Sequence, residues 1–396
     1  MAGITVLYAS VGPRLLQYRV DLAAGSLELF GELKLPDIVQ YAWADSRRTH
    51  LYAACSDGAP PPAPAGSNHR LVAMRIDPAT GALAIVGRQA VLPGRAVHLT
   101  LDATDRHALV AYNNPPGATV HAIAGDGTLE ADTGQAQEMD FGHYPHQIRV
   151  TPCNGYVVVV SRGTRPGHAG HAQGTPGALK VAAFAGGQLK MHASVAPNGG
   201  VDFGPRHLDF HPTGRWVYVS LELENKLQVF GLDKGQFSSA PLFVRETLVN
   251  PAFVAPSQMA GTIHVHPNGR TVYLINRANG TAEFEGRPFY AGGDNTMAVY
   301  AIDQQTGEPT LIQAEDTRGM HARTFSIDPT GSLLVAAHNS AVEVRNTSSI
   351  GSHVVPGGLS VFRVREDGRL AFLRRVAIDT DRKNRVFWSK LYAIGG

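Results

Sequence analysis

The chain has 396 residues, 43% of them AVILMFWYC, with 35 Lys+Arg against 33 Asp+Glu. That apolar share supports a large buried core and excludes a disordered chain, and a net charge of +2 argues against a nucleic-acid partner. Two cysteines, Cys55 and Cys153, cannot build a disulfide framework, and no CxxC spacing marks a zinc module.

No run of 18 apolar residues marks a membrane span. The opening MAGITVLYAS lacks the basic and apolar regions of a signal peptide, so a cytoplasmic protein is expected.

In chain order, a lone strand, VLYAS, comes first, followed by LLQYRVDLAAGSLEL, two alternating apolar runs about a turn ending in Gly. Two motifs then alternate. One is a strand–turn–strand pair: YAWADSRRTHLYAAC, VHLTLDATDRHALVAYN, HQIRVTPCNGYVVVVS, RHLDFHPTGRWVYVS, GTIHVHPNGRTVYLI and RTFSIDPTGSLLVAA. The other repeats the Gly turn, at Gly25, Gly81, Gly127, Gly187, Gly235, Gly307 and Gly368. Each reads as a hairpin, with Gly supplying a positive φ. A last strand, RVFWSKLYAI, supplies the partner that VLYAS lacks. Six four-stranded units and one split between the termini predict an all-β, seven-bladed β-propeller, its ring closed by pairing the N- and C-terminal strands. No helical period persists, and a single domain over 1–396 is expected.

With strands a to d running from axis to rim, the starts of a and the ends of b share one face. The long insertions, 57–69, 162–177, 278–295 and 339–357, all lie between b and c and reach that same face. The starts of a carry His98, His146, Arg206 and Arg323, with His321 two residues earlier. The ends of b carry Asn113, Arg162, Glu222, Arg277 and His338. Arginine matches carboxylate or phosphate, imidazole exchanges protons near neutrality, and a carboxylate among them is a counter-ion or an acid/base group. The set points to an anionic or oxygen-rich small molecule and a chemistry that moves a proton. His211 and His266 read as turn residues on the opposite face. His168 and His171 read as a surface loop rather than a metal clip. No GxSxG elbow, phosphate loop, haem attachment site or WD dipeptide occurs.

The segments PRHLDFHPTGRWVYVSLELENKLQVF, IHVHPNGRTVYLINR and RTFSIDPTGSLLVAAHN followed by LSVFRV resemble the seven-bladed propeller lactonase family, which includes propeller-type 6-phosphogluconolactonases and carboxy-cis,cis-muconate cyclase. The resemblance implies catalytic roles for His146 in YPHQI, Arg206 in GPRHL, Glu222 in YVSLEL and Arg277 in INR. Three positions depart from the family pattern: Leu221 replaces an Asn, Ile148 a second His, and SRGTRPG an acidic segment, which puts Arg162 near an expected acid and shifts the expected substrate charge. The function implied is that of a lactonase opening a sugar or organic-acid lactone, with Glu222 or His146 activating water and Arg206 and Arg277 polarising the carbonyl and holding the substrate's anionic group. His98, Asn113, Arg162, His321, Arg323 and His338 are the expected substrate contacts. No cofactor or metal is expected, and the partner is a small anionic lactone or carboxylate. The alternatives are a lactonizing cycloisomerase of the muconate type and a non-catalytic binding propeller.

Overall fold

Short apolar runs broken by Gly-ending turns can bury both faces only by stacking sheet on sheet, and the chain does this in a closed ring. The computed structural model describes residues 3–59, 63–166, 173–346, 351–381 and 384–395. Blades 2, 3 and 4 begin on inner strands Val39–Ala44, Arg95–Leu101 and Pro145–Val150; blades 5, 6 and 7 begin on Pro205–Phe210, Met259–Val265 and Ala322–Ile327. Blade 1 takes its inner strand, Val386–Ile394, from the C-terminus and its other three, Ile4–Val11, Arg14–Asp21 and Ser26–Lys34, from the N-terminus. The closing register runs antiparallel from Ile4 opposite Ile394 to Val11 opposite Val386. The expected seven-bladed ring and its closure are therefore present.

Burial follows strand position. The second strand of blade 4, Tyr156–Ser161, is a continuous apolar run with buried residues on both faces, whereas the rim strand Ser26–Lys34 has no buried residue. The repeated glycines sit where blades meet. The Tyr8, Tyr52, Tyr218 and Tyr273 hydroxyls donate to the carbonyls of Gly81, Gly127, Gly307 and Gly368 in the following blade, at 2.6–2.8 Å. At Gly307 φ is +79° and a Cβ would lie 2.5 Å from the Trp216 ring, so both backbone and packing demand Gly.

His211 and His266 are turn residues, as expected. Their Nε2 atoms lie 2.9 Å from the carbonyls of Gly269 and Gly331 in the next blade. Two of the insertions form hairpins of their own, Thr281–Phe284 with Arg287–Tyr290 and Val342–Arg345 with Ser352–Val355. They lean together through Arg287 and Glu343 at 2.7 Å and Arg345 over the Phe284 ring. His168 and His171 lie outside the described residues.

Candidate active site

One irregularity recurs in every blade. Near its upper end each inner strand carries a β-bulge, one residue without a partner across the ladder, and in blade 3 the paired strand carries a second one at Asn113. The extra residue is Gln40, Val97, His146, Arg206 or Arg323 in blades 2, 3, 4, 5 and 7. In blade 6 Gly261 and Thr262 face Ile275 alone, and in blade 1 Phe387 and Trp388 face Ser10 alone. A bulge turns two successive side chains toward one face. The result is a narrow axial cavity lined by Gln40, Val97, His146, Arg206, Thr262, Arg323 and Phe387, with Tyr41, His207 and Thr324 from the position below. Two residues further along these strands stand Trp43, Arg149, Asp209, His264 and Lys390. Asp209 pairs with Arg149 at 3.0 Å and His264 at 3.4 Å, and Arg149 and Lys390 lie 5.2 and 5.8 Å from the Trp43 ring.

The second strands end beside this cavity and deliver its carboxylate. Glu222 follows Trp216–Leu221, its N–H donating to the Gly204 carbonyl. Arg162 donates to one carboxylate oxygen at 2.5 Å and Arg277 to the other at 2.5 Å. The Arg206 Nε lies 2.8 Å from that second oxygen, without the alignment of a hydrogen bond. Burial works to raise the Glu222 pKa, but Arg162, Arg277 and Arg206 outweigh it and hold the carboxyl well below the usual range. Arg323, over the Phe387 ring at 4.2 Å, has no carboxylate partner among the described residues. One acid thus serves three guanidinium groups while a fourth stands without one, which leaves the site cationic.

The imidazoles are neutral for the opposite reason. Burial and the neighbouring arginines drive His146, His207 and His321 well below the ordinary histidine value. Arg277 donates toward His321 Nε2 at 3.2 Å and Arg206 toward His207 Nδ1 at 3.3 Å, so those nitrogens accept and the opposite ones carry the proton. His146 lines the cavity part-exposed, its Nδ1 without a partner and its ring 5.2 Å from that of His207. Tyr144 and His321, each two residues before a bulge residue, take positive φ of 55° and 48°, an uncommon backbone for such side chains. Tyr144 carries the Arg162 guanidinium 4.1 Å above its ring.

A cationic pocket of arginine and neutral histidine on a propeller axis suits an oxyanion, and comparison with known proteins agrees with the fold that carries it. Residues 4–348 match the family described as lactonase, 7-bladed beta-propeller. The chain belongs to that family. It is 25% identical over 311 residues to the 6-phosphogluconolactonase of Bacillus subtilis, covering 76% of each, and 28% identical over 319 residues to that of Serratia proteamaculans, covering 79% and 82%. Among solved structures it superposes on a periplasmic gluconolactonase of Pseudomonas aeruginosa with TM-score 0.73 at 20% identity, covering 99% of each chain.

Seven of the expected positions meet in this lactonase-family propeller: His146, Arg162, Arg206, Glu222, Arg277, His321 and Arg323. Three do not. His98 stands one residue past the bulge, which falls on Val97. Its ring is fully buried 3.9 Å from that of Tyr41 and neither nitrogen has a partner. Asn113 supports rather than lines the site, accepting from Arg95 at 3.2 Å while Arg95 also holds Gln40 at 2.9 Å. His338 still belongs to the ladder, opposite Ala322, and its Nε2 meets Ser360 Oγ at 2.9 Å. Asn339 takes the place that Glu222 has in blade 5. His338→Ala is therefore expected to lower unfolding free energy by about 2–3 kcal/mol while kcat/KM on any substrate stays within about twofold, checked by denaturant titration beside steady-state kinetics.

Residues that sequence reasoning passed over include His207, Tyr41, Tyr144 and Arg95. The first two sit directly after bulge residues, and the adjacent pair Arg206–His207 is the one visible sign that two consecutive side chains turn inward.

Proposed function

We propose that this chain hydrolyses the ester bond of a small lactone at the axial cavity. The observation that carries the reading is a part-exposed His146 with an unpartnered Nδ1 beside two cavity-lining arginines, Arg206 and Arg323, where burial and Arg206 favour the uncharged imidazole. The histidine takes a proton from water as the water oxygen attacks the lactone carbonyl. Arg206 and Arg323 stabilise the oxyanion that forms. The ring C–O bond then breaks, the imidazolium returns its proton to the departing alkoxide, and the new carboxyl group releases its own proton to solvent, leaving a hydroxy acid whose carboxylate faces the arginines.

Glu222 is assigned a different part from that of a base. Both of its oxygens are held by arginines and its affinity for a proton is low. Its charge favours the imidazolium that His146 becomes and keeps Arg162, Arg206 and Arg277 in place. Support comes also from the family and from relatives named as 6-phosphogluconolactonases. The test is turnover of a panel of aldonolactones, phosphorylated aldonolactones and muconate-type acids in water enriched in oxygen-18. One labelled oxygen in the product carboxylate is the expected result. Lactone formation from the diene supports the cycloisomerase instead, and no turnover of any member supports a binding propeller.

A further inference from the structure

The axial cavity is only about 10 Å³, near the lower limit for holding one water, so it accommodates a reacting water or carbonyl oxygen and not the body of a lactone. The structure holds another cavity of about 420 Å³, within the usual range for small-ligand sites. Arg162 is a wall of this second cavity, and its guanidinium is also bonded to Glu222 on the axial side. Among the described residues the remaining walls come from 164–166, 173–176, 199–204 and 223–224.

We infer, on the hydrolysis reading above, that the cavity between Arg162 and Glu224 holds the substrate's distal chain, and that it is built for uncharged hydroxyl groups rather than a phosphate.

Among the described residues two guanidinium groups and two carboxylates face the cavity. Arg162 shares Glu222 with Arg206 and Arg277, and Arg165 donates to the Leu223 carbonyl at 2.8 Å. Against them stand two carboxylates, Asp202 and Glu224. Glu224 accepts the Gly204 N–H through one oxygen at 3.2 Å, and burial makes its carboxyl hold a proton more tightly than usual. Gly204 permits this approach, since a Cβ there would lie 2.8 Å from that oxygen. Thr164 and Thr175, whose hydroxyls meet at 3.1 Å, and Gln173 add neutral donors and acceptors. Carboxylate and hydroxyl groups suit a polyol chain, and walls whose described charges show no positive excess leave a phosphate dianion uncompensated.

The experiment titrates an aldonate and its terminal phosphate ester calorimetrically into wild-type protein, Glu224→Gln and Glu224→Arg, with melting recorded for each. Wild type is expected to bind the aldonate at least tenfold more tightly. Glu224→Gln narrows the ratio, and Glu224→Arg inverts it; if the arginine variant does not fold, the glutamine ratio decides. Equal or tighter binding of the phosphate by wild type, or a ratio unmoved by the folded variants, overturns the inference. Glu224-dependent binding without lactone turnover removes only the hydrolysis reading. Turnover whose KM ratio ignores Glu224 removes only this one.

Discussion

Glu222→Gln is expected to unfold far more readily than wild type, by about 3–5 kcal/mol, in addition to losing activity. Removing one partner of a buried ion pair leaves the other uncompensated, and here Arg162, Arg206 and Arg277 all depend on the same 2%-exposed carboxylate. The pH dependence identifies the cause. The folded-state pKa of Glu222 lies well below its ordinary value of 4.5. Its stabilisation is thus complete above about pH 4.5 and lost as pH falls through the lower folded-state value. Urea unfolding of both proteins across pH 3–7 is expected to show a gap that is constant above that point and closes below it. A gap independent of pH places the loss elsewhere. Since this substitution unfolds as well as inactivates, it cannot by itself separate catalysis from architecture.

His146→Ala separates them. A positioned general base contributes about 10²–10⁴-fold, so kcat is expected to fall by at least about 100-fold. Stability should barely move, because the ring lines the cavity and its Nδ1 makes no hydrogen bond to be lost. The depressed pKa also sets the form of the wild-type pH profile. A base works when deprotonated, and burial with Arg206 keeps His146 deprotonated below the usual 6.5, so the acid limb of kcat/KM falls below pH 6.5.

The ring of blades was legible because its determinants are local: alternation, Gly turns and a strand at each end lacking a partner. The face of the site was legible too, since strand order alone places the ends of the first two strands together. The level within the channel was not. A bulge inserts one residue without disturbing the apolar pattern that surrounds it, so nothing in RAVHLTL says that Val97 rather than His98 occupies the axial ring. The same one-residue uncertainty separates His338 from Asn339. The part played by Glu222 was hidden for another reason. Whether a carboxylate is a base or a clamp depends on how many cations reach it, and those arrive from blades 4, 5 and 6, at sequence separations of 60, 16 and 55 residues.

The most direct test of the central claim, that the seven bulges assemble a hydrolytic centre around a neutral imidazole, is kcat/KM for lactone opening by wild type and His146→Ala, with melting temperatures measured alongside. The expected outcome is a loss of about 100-fold or more with melting temperature essentially unchanged. Retained turnover in a folded His146→Ala protein would contradict it.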